Sequence, residues 1–176
     1  MPEARRRLFF ALWPDAAVRA ALAAAGQALA GKRIKRVPAD NLHLTLAFAG
    51  PVTAEVAACL ARNAGAVRAA PFELCIDHAG YWPRPRILWL GPAHMPPPLW
   101  ELAGALRVCL AGCGLVPEAR AFQAHITVAR RCSQPAAVPD FPVVNWPVSD
   151  FCLVESVPAE NGSSYRPLAC WPLEGG

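Results

Sequence analysis

Apolar and polar positions follow two periods along this chain. Arg7–Leu12 is a short apolar run that stops at Pro14 and reads as a strand. Val18, Leu22, Ala25 and Leu29 then fall at helical spacing, with Asp15 placed to cap the helix and Gly31 to close it. A basic loop, Lys32 to Arg36, leads into a second apolar run, Leu42 to Phe48. Thr53 to Ala70 reads as a helix with Val56, Leu60, Ala64 and Val67 inward, and Phe72 to Asp77 alternates like a half-exposed strand. Arg86–Leu90 is another apolar run. Pro96-Pro97-Pro98 then leads into a helix carrying Leu99, Leu102, Leu106 and Leu110, ended by Gly112 and Gly114. The run Ala124 to Ala129 follows. Beyond a loop marked by Pro135, Pro139 and Pro142, strands are expected over Phe151–Glu155 and Tyr165–Leu173, joined by a turn at Asn161-Gly162-Ser163-Ser164.

The order strand, helix, loop, apolar run therefore occurs twice. A unit used twice predicts two lobes related by a pseudo-twofold axis. With no flexible linker, residues 1–176 are expected to form a single domain of two lobes. At 55% hydrophobic and 17% charged residues, the chain can bury a sizeable core and is not a disordered tail. No apolar run nears the roughly 20 residues of a membrane span. Arg5-Arg6-Arg7 precede an apolar stretch, as in a secretion signal, but Leu8–Trp13 is too short for one. The expected location is the cytoplasm. Seven cysteines, an odd number lying mostly in apolar segments, are then expected to be reduced and core-filling. No Cys-x-x-Cys pair suggests zinc. The net charge of +4 is compatible with a phosphate-bearing partner without requiring one.

Candidate chemistry lies in the duplicated runs. One carries His43-Leu44-Thr45-Leu46 and the other His125-Ile126-Thr127-Val128. Residues i and i+2 of a strand share a face, so each copy presents an imidazole beside a hydroxyl. Two of the four histidines occupy these matched places. Displacement at phosphorus needs one group to deprotonate the nucleophile and another to protonate the departing oxygen, and imidazole does both near neutral pH. Threonine hydroxyls can donate to non-bridging phosphate oxygens. This arrangement calls for no metal and no cofactor, and no carboxylate cluster is present to hold one.

With these motifs the chain resembles the 2H phosphoesterase superfamily, and within it bacterial and archaeal RNA 2′,3′-cyclic phosphodiesterases, formerly called 2′-5′ RNA ligases. The likeness runs through Leu8–Pro14, Asn41–Gly50, Phe122–Arg130, Leu153–Ser156, Tyr165 and Trp171-Pro172-Leu173. Ala124 departs from the proline usual in the family before the second histidine. The resemblance implies an α+β fold, with two antiparallel sheets around a central cleft and helices outside. It also implies hydrolysis of a terminal 2′,3′-cyclic phosphate of RNA to a 2′-phosphomonoester, with His43 as acid, His125 as base, and Thr45 and Thr127 on the phosphate. The residues alone leave the two histidines interchangeable. Arg130, Arg36, Phe48 and Tyr165 are candidates for RNA contact. Arg130 would point away from His125 on a regular strand, and for Phe48 a place in the core is favoured over stacking on a base. His78 and His94 match no motif. The alternatives are 2′-5′ joining or cleavage of RNA and a nucleotide-binding module without catalysis. A monomer is expected.

Overall fold

The computed structural model describes residues 4–31, 34–160 and 162–175, so the expectations for Lys32, Arg33 and Asn161 lie outside the described residues. Twelve main elements follow one another: β1 (Arg6–Leu12), α1 (Ala16–Ala30), β2 (Leu44–Val52), α2 (Ala54–Gly65), β3 (Phe72–Ile76), β4 (His78–Trp82), β5 (Ile87–Gly91), α3 (Pro97–Gly112), β6 (Ile126–Arg130), β7 (Val144–Val148), β8 (Asp150–Ala159) and β9 (Gly162–Pro172). All paired strands are antiparallel. They form a four-stranded sheet in the order β2-β1-β8-β9, a three-stranded sheet β4-β5-β6 and a ribbon β3-β7. The α+β class stands. The expected pair of sheets gains the ribbon as a third ladder.

Alternation along β1 divides the first sheet into two faces. Leu8, Phe10 and Leu12 enter the main core, while Phe9 and Ala11 join Cys152 and Val154 in a smaller cluster on the other face. The helices lie on the main-core side. Asp15 accepts the Val18 amide at 2.8 Å to start α1, and Gly31, at φ 68°, ends it. That φ is one that glycine alone adopts without strain. The helix of each repeat covers the strands of the other: α1 lies on β5, β6 and β7, and α3 on β2. The approach of α1 is close. A Cβ at Gly26 would sit 3.2 Å from two carbons of Val128, so a side chain there would require Val128 to give by a few tenths of an ångström. At the rim of the first sheet, Glu155 accepts from Arg6 at 2.7 Å and from Arg166 at 2.7 Å, tying β1, β8 and β9. Arg6 and then Arg166 hold this carboxyl down at about 2, against the cost of its burial.

Several expectations are corrected. The helix expected to reach Ala70 stops at Gly65, where the Arg68 guanidinium donates to the Gly65 carbonyl at 2.9 Å; Pro71 also disfavours helical backbone just before it. β4 and β7 are strands that the pattern did not reveal. β7 contains Pro147, which β-periodicity disfavours but which the outer strand of a two-stranded ribbon accepts.

The cysteine reading is overturned for four residues. Cys59 is bonded to Cys113 and Cys152 to Cys170. The first pair bridges α2 to the end of α3, where the Asn63 amide donates to the Cys113 sulfur at 3.3 Å. The second joins residues directly opposite each other on β8 and β9. The partners lie 54 and 18 residues apart, so no local spacing announced them. Cys109 and Cys132 are buried free thiols, as expected, and Cys75 is exposed. No helix among the described residues is long and apolar enough to cross a membrane.

Candidate functional site

Each histidine stands one residue ahead of its strand, slightly earlier than the apolar runs suggested. His43 follows a single helical turn, Ala39–Asn41, and its Nδ1 lies 2.6 Å from the Asn41 carbonyl oxygen. The Nδ1 of His125 lies 2.9 Å from the carbonyl oxygen of Gln123. A carbonyl only accepts, so in each neutral ring Nδ1 carries the proton and Nε2 is left for a ligand. The two copies thus match in side chain, tautomer and anchor. Thr45 and Thr127 follow as the second residues of β2 and β6.

The surroundings of the two rings differ. Three aromatic rings enclose His43: Phe9 at 5.0 Å, Tyr165 edge-on at 4.9 Å, and Trp13 at 5.6 Å and nearly parallel. His125 meets Trp82 edge-on at 4.6 Å. Burial lowers both histidines below their usual value. The carbonyl bonds of Asn41 and Gln123 act against it, and the positive charge of Arg130 adds to it. His43 falls to about 4, with His125 contributing. Both rings are thus neutral at pH 7 in the free protein.

Two cavities meet between the sheets. The larger, about 810 Å³, is lined by His43, Asn41, Tyr165, Arg7 and Arg36 among others. The smaller, about 540 Å³, is lined by His125, Trp82, Arg84, Arg120 and Phe122 among others. Thr45, Phe48, Thr127 and Arg130 line both. A separate hollow of about 430 Å³ beneath α1 contains neither histidine nor threonine of the motifs.

Arg130 reaches the cleft because β6 is not regular. Thr127 faces Trp89 and Ala129 faces Leu88, so Val128 is an extra residue on β6. Val128 and Ala129 both enter the core, and Arg130 returns to the face of Thr127. The first copy bulges in the same place. Thr45 faces Ala11 and Ala47 faces Phe10, leaving Leu46 extra; Leu46 and Ala47 are buried and Phe48 returns to the cleft. A bulge shifts the alternation by one residue, which strict period-two reading misses.

A protein-family model described as the 2′-5′ RNA ligase superfamily matches residues 13–158, most of the chain and both motifs. The chain belongs to the 2′-5′ RNA ligase superfamily. It is 42% identical over 139 residues to the RNA 2′,3′-cyclic phosphodiesterase of Escherichia coli, covering 78% of each. Among solved structures it is similar to E. coli LigT in apo form, with a TM-score of 0.86, 36% identity, and 97% and 99% of the two chains covered. It is also similar to LigT complexed with 3′-AMP, with a TM-score of 0.85, 36% identity and the same coverage.

In this member of the 2′-5′ RNA ligase superfamily, all eight candidate residues line the two cavities. Arg36 reaches the larger one because its segment bridges to Ala129, with the Val37 amide donating to the Val128 carbonyl at 2.8 Å. Tyr165 is tied to the His43 turn through Asn41, whose side-chain oxygen accepts the Tyr165 amide at 3.4 Å. The sequence reading missed Trp13, Trp82, Asn41 and Arg7. Trp82 lies on the unrecognised strand β4. Asn41 anchors His43 through its backbone carbonyl, which residue type does not disclose, and reaches β9 through its side chain. His78 and His94 are exposed and outside both cavities. Among the described residues, no group of three or more His, Cys, Asp and Glu could hold a metal ion.

Proposed function

We propose that this chain hydrolyses the 2′,3′-cyclic phosphate end of RNA to a 2′-phosphomonoester. The observation that carries this reading is the matched pair of histidines, each fixed with Nε2 available, beside a threonine pair that lines both cavities. His125 takes a proton from water as the oxygen bonds to phosphorus. His43 gives its proton to the ribose 3′ oxygen as that P–O bond breaks. Thr45 and Thr127 donate to the non-bridging oxygens, whose charge the Arg130 guanidinium offsets. Arg36 and Arg7 line the larger cavity, where they attract the RNA backbone. The chain works as one unit, because its chemistry needs a histidine from each repeat. Action in the cytoplasm as a monomer belongs to the same proposal.

Incubation of the purified protein with an oligoribonucleotide ending in a cyclic phosphate tests the reading. The expected product resists a 3′-specific phosphatase and shows a 2′-phosphate by phosphorus NMR. An unchanged cyclic end leaves only a binding module. Turnover is expected to continue in excess chelator, and loss restored by a divalent ion would refute the two-histidine chemistry.

The pH dependence has a definite direction. The productive form carries one proton on the histidine pair, and both rings are lowered in the free protein. The bell in kcat/KM is therefore expected to peak on the acid side of 6.5 and to fall as pH rises through 7 and 8, where both rings are neutral. Its limbs belong to the coupled pair. A rate that rises through pH 9 would indicate another base.

A second reading, 2′-5′ joining or cleavage, is favoured by the cavity of about 540 Å³ beyond His125. It provides room for a nucleoside alcohol in place of water. Addition of an RNA with a free 5′-hydroxyl, followed by assay for a linked product, separates the two.

A further inference from the structure

The two motif histidines are anchored alike, yet only one of the anchors is itself held by a side chain. Asn41 lends its carbonyl oxygen to His43 Nδ1 at 2.6 Å. It ends the single helical turn Ala39–Asn41, in which no residue is buried. That turn needs nothing from the Asn41 side chain. Backbone bonds close it: the Asn41 N–H donates to the Pro38 carbonyl at 2.9 Å, and the Leu42 N–H to the Ala39 carbonyl at 3.1 Å. The Asn41 carboxamide instead leaves the turn. Its Nδ2 donates to the Ser163 carbonyl at 2.8 Å, and its Oδ1 accepts the Tyr165 N–H at 3.4 Å. These partners lie on β9, 122 and 124 residues away. We propose that Asn41 is a positioning residue that clamps the His43 turn to β9 and so keeps Nε2 as the nitrogen of His43 that exchanges a proton with substrate. The inference rests on the reading of His43 as a proton-transfer group.

Whether His43 gives or takes the proton at Nε2, its neutral form must carry the other proton at Nδ1. A carbonyl enforces that form only while it stays within hydrogen-bond reach. Beyond the turn, Leu42 is buried and fixes the chain on one side. On the other side Asp40 is 91% exposed, and its ion pair with Arg19, at 3.6 Å, is too open to water to hold a backbone in place. The carboxamide is what ties the anchoring residue to a sheet. It also closes a ring of contacts. Tyr165, whose N–H it accepts, sets its own ring edge-on to His43 at 4.9 Å. One side chain thus secures both the acceptor at Nδ1 and the aromatic ring packed on the imidazole. Asn41, His43, Ser163 and Tyr165 all line the larger cavity, so the clamp joins two of its walls. The second copy has no counterpart. Gln123 gives its carbonyl to His125, but its exposed side chain makes no hydrogen bond among the described residues.

Asn41→Ala leaves the carbonyl in the chain and removes both bonds to β9. Long-range proton–nitrogen NMR reads which ring nitrogen of each histidine carries the proton. In the free parent at pH 7, both motif histidines are expected to be Nδ1–H. In Asn41→Ala, His43 is expected to become a mixture of the two tautomers while His125 stays Nδ1–H. On a cyclic-ended oligonucleotide kcat is expected to fall by about 10- to 10²-fold, the scale of a misplaced reacting group. KM is expected to stay near that of the parent, because the loss falls on the chemical step. Asn41→Ser, too short to span to Ser163, is expected to behave likewise, and it decides should circular dichroism show the alanine variant unfolded. A His43 that stays wholly Nδ1–H in the variant overturns the inference, whatever happens to kcat, and so does an unchanged kcat. An equal change of tautomer at His125 would mark a general loosening, and unfolding of both variants would make Asn41 a residue of the fold; either overturns it as well. Absence of turnover by the parent would instead sink the functional reading, and the tautomers, read without substrate, would still decide whether Asn41 fixes the ring.

Discussion

His43→Ala and His125→Ala are each expected to lower kcat by about 10²-fold or more, with the fold intact. The magnitude follows from the roughly 10²–10⁴ contributed by positioned acid–base groups. The fold should survive because each ring is held by one carbonyl and by contacts at the cleft, outside the main core. Removal of His43 also removes a group that burial forces to stay neutral. Its lowered pKa means that the unfolded chain binds the extra proton between pH 6.5 and about 4. Stability attributable to this ring is therefore full above 6.5 and lost as pH falls through that window. The variant should lose less stability on acidification than the parent. The double variant should be little slower than the poorer single one, because the two groups serve one displacement. Single-turnover kinetics with a cyclic-ended oligonucleotide checks the rates, and denaturant unfolding across the same pH window checks the stability. An active His125→Ala protein would remove that residue from the chemistry.

The second large effect concerns stability. Opening the Cys59–Cys113 bond is expected to cost about 2–4 kcal/mol, since it closes a loop that spans 54 residues of the unfolded chain. For a chain of this size that lowers Tm by roughly 5–15 °C. Cys59→Ser with Cys113→Ser, compared by calorimetry with the parent under non-reducing conditions, measures it. Equal melting temperatures would show that the bond does not constrain the chain. The Cys152–Cys170 bond closes a shorter loop within one hairpin, and its loss should matter less.

The parts legible in the sequence were those set by local periodicity. Val18, Leu22, Ala25 and Leu29 gave α1 with both of its caps. The two His-x-Thr runs gave β2, β6 and the centre of the site. Parts that depend on distant partners were not legible. β7 contains Pro147 and is a strand because Phe72–Ile76 lies beside it. Cys59 meets Cys113 because α2 packs on α3. Arg130 looked misplaced because its strand bulges at Val128, and no residue type signals that bulge. The same displacement at Leu46 decided Phe48, which composition would assign to either core or cleft.

The crossing of α1 and α3 onto each other's strands has a consequence for how this molecule could be divided. A cut in the segment between Gly65 and Phe72, with the Cys59–Cys113 bond reduced, would release two pieces, each with one His-x-Thr and half the proposed acid–base pair. The first piece would keep α1 without the strands it covers, and would lack β8 and β9 from its own sheet. Neither piece could hide its apolar surface alone. Separately made, they should stay unfolded and inert. Mixed, they should find each other, and the return of turnover would count the molecules that had reassembled. The architecture thus lends itself to complementation, with catalysis as the signal that two chains have become one.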